Sequence, residues 1–171
     1  GVGHATTDQQ AVDDAQEVGD DADLVADLQP AQVPSFVRGL QQEFYVDGLA
    51  ILDAIQQRSS FNLIHLETMF KVDVFLPKWR PFDKAQFERR ASEVIATEPE
   101  RVAWVASAED TILTKLEWFR LGNEVSERQW RDVLGVLKTQ GERLDRVYLR
   151  YWASQLKVPD LLERALNETN L

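Results

Sequence analysis

Polar and apolar residues alternate where the chain first becomes patterned: Ala22, Leu24, Ala26 and Leu28 are interleaved with Asp21, Asp23, Val25 and Asp27. A period of two predicts a half-buried strand with one apolar face, closed by Pro30. Pro34 then opens an amphipathic helix running to about Gln42. Residues 44–46 read as a short strand and 48–57 as a second helix. Two strand-like runs, 61–67 and 69–76, are separated only by Thr68, which predicts either a hairpin or one long bent ribbon. Pro77, Arg80 and Pro81 make a turn, 83–92 reads as a charged helix, and 101–106 as a further short strand.

Beyond that point the period becomes helical. Ile112, Leu113, Leu116, Trp118 and Phe119 form one apolar stripe, and Trp130, Val133, Leu134 and Leu137 form another. A third helix, 145–156, presents Val147, Tyr148, Leu149, Tyr151 and Trp152. Ser107 with Asp110, Ser126 with Gln129, and Asp160 with Glu163 after Pro159 have the spacing of helix starts. The expected fold class is α+β. A mixed-sheet αβ core occupies 1–106, with 1–20 irregular or truncated since the chain opens on Gly. A C-terminal helical subdomain, 107–171, packs with it.

Composition narrows the chemistry. The 171 residues include no cysteine, which removes disulfides, thiolate metal sites and thiol nucleophiles. His4 and His65 are the only histidines, too few for a multi-histidine metal centre. No apolar run approaches the length of a membrane span and no secretion signal is evident, so a cytoplasmic protein without a membrane partner is expected. The net charge of −10 is concentrated at one end. Residues 1–37 hold eight acidic side chains and no Lys or Arg, leaving 21 acidic against 19 basic residues, or −2, over the rest. Such a field favours a protein or small-molecule partner over long nucleic acid.

The acidic positions carry the candidate chemistry. Asp21 and Asp23 lie two apart on a predicted strand, so both project from one face while Ala22 and Leu24 point to the core. In 71–75 the alternation places Val72 and Val74 on one face and Lys71, Asp73 and Phe75 on the other. If the two strands are neighbours, three carboxylates converge, and hard oxygen ligands of that kind suit Mg²⁺ or Mn²⁺. The same residues also suit the wet face of an edge strand with Asp73 paired to Lys71. The pattern alone leaves both readings open.

Asp21-Ala22-Asp23-Leu24-Val25 followed by Lys71-Val72-Asp73-Val74-Phe75 resembles the metal-binding signature of polymerase-β-like nucleotidyltransferases. The run from Ser107 to Leu116, with Arg128-Gln129-Trp130-Arg131-Asp132-Val133-Leu134, is similar to small uncharacterised bacterial nucleotidyltransferases related to abortive-infection toxins. The resemblance spans about residues 20–168. It implies that Asp21, Asp23 and Asp73 hold Mg²⁺ or Mn²⁺ and are catalytic. It also implies that Lys115 faces the phosphates of a bound NTP, with Arg131 and Asp132 supporting the site. It departs at the front, where the family's Gly-Ser phosphate turn has only Val2-Gly3-His4 as its counterpart, with His in place of Ser and a longer gap to Asp21. Gly3 and His4 are the nucleotide-binding candidates there.

The implied activity is transfer of NMP from an NTP to a hydroxyl on a protein, RNA or small molecule. The alternative is a catalytically impaired relative acting as a binding or regulatory module of toxin–antitoxin type. Read without the resemblance, Lys115 between Leu113 and Leu116 is a surface lysine lying along apolar neighbours. The helical tryptophans read as core, Trp79 as the exposed aromatic, and His65 as a hydrogen-bonded structural residue.

Overall fold

The computed structural model describes residues 21–171, Asp21 through its backbone only. The chain divides into two compact units, one ending at Lys78 and one running from Trp79 to Leu171. The segment 79–106, grouped by its sequence with the sheet, thus clusters with the helices.

In the first unit, β1 (Asp21–Val25), β2 (Phe44–Tyr45), β3 (Ser60–His65) and β4 (Lys71–Phe75) form one sheet in the order β1-β4-β3-β2. β1 runs parallel to β4, whereas β3 is antiparallel to both β4 and β2. The 61–76 region is therefore a hairpin, its turn closed by Met69 N–H donating to the His65 carbonyl at 2.8 Å. His65 itself bonds Thr68 through Nδ1 at 2.8 Å, the structural role expected of it.

Two helices, α1 (Val33–Leu40) and α2 (Gly48–Gln57), accompany the sheet among the described residues. Asp47 caps α2, its Oδ1 accepting from the Leu49 and Ala50 amides at 2.9 and 3.2 Å. Val33, Ile51, Ala54 and Ile55 from this helical segment bury themselves with Phe61, Leu63, Val72 and Val74 of the central strands. Leu24 departs from expectation. It shares the core face with Val74 yet is 51% exposed, because among the described residues β1 stands at the sheet's edge and pairs with β4 alone. β1 also ends at Val25 rather than near Leu28, although Ala26 and Leu28 still pack on the core.

The second unit contains α3 (Pro81–Arg89), a ribbon of β5 (Ala91–Thr97) and β6 (Glu100–Val105), then α4 (Ala108–Leu121), α5 (Glu127–Gln140), α6 (Arg146–Gln155) and α7 (Pro159–Thr169). The charged helix ends at Arg89, earlier than its sequence suggests, because Ser92 to Thr97 pair with β6 instead. β5 was not foreseen. Its residues alternate poorly and nearly all stay exposed, so no apolar face announces it. Ser107, Ser126 and Asp145 cap α4, α5 and α6 through their side chains. Asp160 is not a cap; it lies inside the first turn of α7, where Pro159 occupies the opening position. Ile112, Leu113, Leu116, Val133, Leu137, Leu149 and Leu162 make the solvent-free centre of this bundle. No described helix is long and apolar enough to cross a membrane.

Candidate functional site

The four-stranded sheet has two unlike faces, and its register explains both. Leu24, Val74 and Phe61 share one row, and Ala22, Val72 and Leu63 another, all on the face covered by α1 and α2. One residue along, the rows turn polar. Asp23 on β1, Asp73 on β4 and Asn62 on β3 lie side by side, and Asp21 lies beside Lys71 one pleat away. Alternation in the sequence causes this, since Asp23, Asp73 and Asn62 each sit between residues of the opposite face.

Parallel neighbours about 4.8 Å apart bring Asp23 and Asp73 within reach of one another. Two carboxylates about 4 Å apart repel by roughly 1 kcal/mol in water and more where solvent is partly excluded. Two neighbours relieve Asp73. Asn62 Nδ2 donates to Asp73 Oδ1 at 2.9 Å, and Lys71 Nζ sits 2.8 Å from Asp73 Oδ2. Each Asp73 oxygen is thereby held, which fixes its rotamer while about a fifth of the side chain stays open to solvent. Asp23 is exposed.

Asn62 was missed from sequence. Its signal was its position between buried Phe61 and Leu63, the same alternation that marked Asp73, but an isolated Asn on a strand proclaims no chemistry. The remaining predicted residues are placed elsewhere. Gly3 and His4 lie outside the described residues. Lys115, Arg131 and Asp132 belong to the second unit. Lys115 is not a snorkelling surface side chain, since its Nζ lies 2.7 Å from Asp132 Oδ2 and 3.4 Å from Gln129 Oε1, tying α4 to α5 while largely buried. Arg131 is exposed and borders a shallow cleft with Phe119, Trp130 and Arg164.

Among the described residues no three His, Asp or Glu side chains form a ready metal cluster, and the Asp21 side chain is not among them. No family model, curated protein or solved structure matches the chain.

Proposed function

We propose that this chain is a metal-dependent nucleotidyltransferase, moving NMP from an NTP to a hydroxyl on a protein, RNA or small molecule. One observation carries the reading: Asp23 and Asp73 stand in the same register on adjacent parallel strands, with Asp21 two residues before on β1. The donor chemistry suits a hard divalent cation, and Asp21, Asp23 and Asp73 would hold Mg²⁺ or Mn²⁺. Bound there, the ion would supply the positive charge that draws in a triphosphate and offsets the charge of departing pyrophosphate. Asn62 orients Asp73, and Lys71 adds a cation to a face otherwise carrying acids, where it can meet a phosphate oxygen.

A second reading is a binding or regulatory module that has lost transfer. It is favoured by the fact that both Asp73 oxygens already have partners within the chain.

Melting curves with Mg²⁺ or Mn²⁺, with and without each NTP, provide the first test. A nucleotide present at a hundred times its dissociation constant stabilises by about 2.7 kcal/mol through linkage. The transferase reading expects a metal-dependent rise in the midpoint and label transfer from an NTP in cell extract, with transfer falling at least about a hundredfold in Asp23→Ala. A rise without transfer selects the regulatory module. No shift with any NTP, or equal labelling by Asp23→Ala, removes the enzymatic proposal.

A further inference from the structure

None of the residues of the β5–β6 ribbon joins the buried core of the second unit. Its two strands pair with each other, and among the described residues no further strand pairs with either. Cross-strand partners share a face. Trp104 with Ser92 and Val102 with Val94 therefore form one surface, and Val105 with Ala91 and Ala103 with Glu93 form the other. Neither is covered: Trp104 is 66% exposed, Val94 and Val102 56% each, and Val105 42%. A ribbon of only two strands is marginal in water, and further strands are what make such pairing stable.

The two edges of the ribbon differ. On β5 the register slips between Val94 and Ala96, leaving Ile95 unopposed, and an irregularity of this kind turns an edge away from further pairing. β6 has no such guard. Each residue from Glu100 to Val105 stands opposite a residue of β5, so the strand runs unbroken, and 102–105 reads Val-Ala-Trp-Val with neither a charge nor a proline. An edge of this kind is a template for another strand. The charges of β6 are one of each sign, Glu100 and Arg101, both at its start. A chain of net charge −10 repels its own copies, so contact between copies favours a neutral stretch, and 102–105 is one.

We propose that β6 pairs antiparallel with β6 of a second copy of this chain, about a two-fold axis at Ala103, giving a four-stranded sheet in the order β5-β6-β6-β5. In that register Ala103 meets its counterpart on the axis, Val102 of each copy stands opposite Trp104 of the other, and Arg101 opposite Val105. The aromatic–β-branched pair is made twice, and no two like charges are opposed. Val94, Val102 and Trp104 of both copies then line one continuous face, whereas a slip of one residue would bring Arg101 beside Trp104 and mix the two faces. The irregular β5 strands become the outer edges, so the assembly closes as a dimer and does not extend. This surface lies within the second unit and does not depend on the acidic face of the four-stranded sheet or on the transfer reaction proposed there.

Sedimentation equilibrium of the full chain reads the mass directly. The proposal expects the weight-average mass to climb from 19.6 kDa toward twice that value as concentration rises. An edge of 6 residues falls short of the ~800 Å² per partner of a standard interface, so the dissociation constant should be on the order of 10–100 µM. Ala103→Lys and Ala103→Glu, at a half-buried position, each set two like charges against one another on the axis and should weaken the dimer at least about tenfold. An equimolar mixture of the two variants opposes unlike charges and should dimerise at least as well as the parent chain, which separates loss of pairing from loss of folding. A mass that stays at 19.6 kDa up to about 1 mM overturns the proposal and leaves the edge to a strand of some other protein. Undiminished dimerisation in both variants, or a mixture that stays monomeric, overturns it as well.

Discussion

Each unit of the molecule carries a close set of acidic side chains, and the two sets live under opposite conditions. In the first unit, Asp23 and Asp73 stand on the open face of a sheet, one exposed and the other partly so. In the second, Glu109 and Asp110 open α4 and are buried, Asp110 completely. Asp110 accepts from the Tyr148 hydroxyl at 2.7 Å and from the Ser107 hydroxyl at 2.8 Å, with Arg89 Nε 3.5 Å away. Glu109 accepts from the Asp145 amide at 2.9 Å and from Arg89 Nη2 at 3.1 Å. Arg89 also lies over the Tyr148 ring, 3.9 Å from its centre. These bonds join α3, α4 and α6. Burial without partners would make such carboxylates ruinous, whereas a fully satisfied network makes them specific. The open set instead stays in contact with solvent, Asp73 through about a fifth of its side chain.

All five tryptophans lie at or beyond position 79, so fluorescence reads the second unit alone, while far-ultraviolet dichroism reads both. That separation lets the contrast be broken experimentally. The largest effect is expected from Asp110→Ala, which takes the acceptor from the Tyr148 and Ser107 hydroxyls. Urea unfolding followed by fluorescence should lose about 3 kcal/mol. A loss below about 1 kcal/mol would mean that the network contributes little.

Acid should act on the same unit. Burial works against the charge on Glu109, but the Asp145 amide, its own backbone amide, the Ser107 hydroxyl and Arg89 together hold its pKa below the usual 4.5. A carboxylate depressed in the folded state adds stability above its unfolded pKa and loses it as pH falls through the folded one. Fluorescence-monitored stability should therefore decline below about pH 4.5, and Glu109→Gln should flatten that decline.

Smaller effects belong to the open face. Replacing Lys71 with Met removes an ammonium that competes for Asp73, so Mn²⁺ affinity, read by electron paramagnetic resonance, should rise a few-fold, within the ~1 kcal/mol of an exposed ion pair. Smallest is the stability change in Asp23→Ala. A solvent-exposed side chain of this kind should alter unfolding free energy by less than about 0.5 kcal/mol. A large destabilisation there would make Asp23 a structural residue and erase the contrast.

Much of this architecture could be read from the chain. Alternation located β1 and β4 and put Asp23 and Asp73 on one polar face, because a period of two leaves a strand only one way to bury Val72 and Val74. Helix α2 matches its expected span of 48–57, bounded by the Asp47 cap, and Ser107 and Ser126 mark their helices through local hydrogen bonds. The β5–β6 ribbon was half-legible. β6 was foreseen but β5 was not, since Val94, Ile95 and Trp104 all stay exposed and no buried stripe distinguishes the ribbon. The exposure of Leu24 was left open, because the acidic alternation suits an edge strand as well as one lining a metal site, and only the pairing of β1 with β4 shows its place.

Local spacing, then, determined which side chains share a face, since backbone geometry sets that over a few residues. Which faces meet was decided by tertiary structure. The parallel pairing of β1 with β4 spans some fifty residues and places Asp23 beside Asp73. The packing of α4 against α5 turned Lys115 toward Asp132, and the folding of α3, α4 and α6 around Asp110 buried an acid that its helix-start spacing marked only as a capping residue. Contacts between distant segments depend on the burial of whole surfaces, and no short stretch of chain encodes that alone.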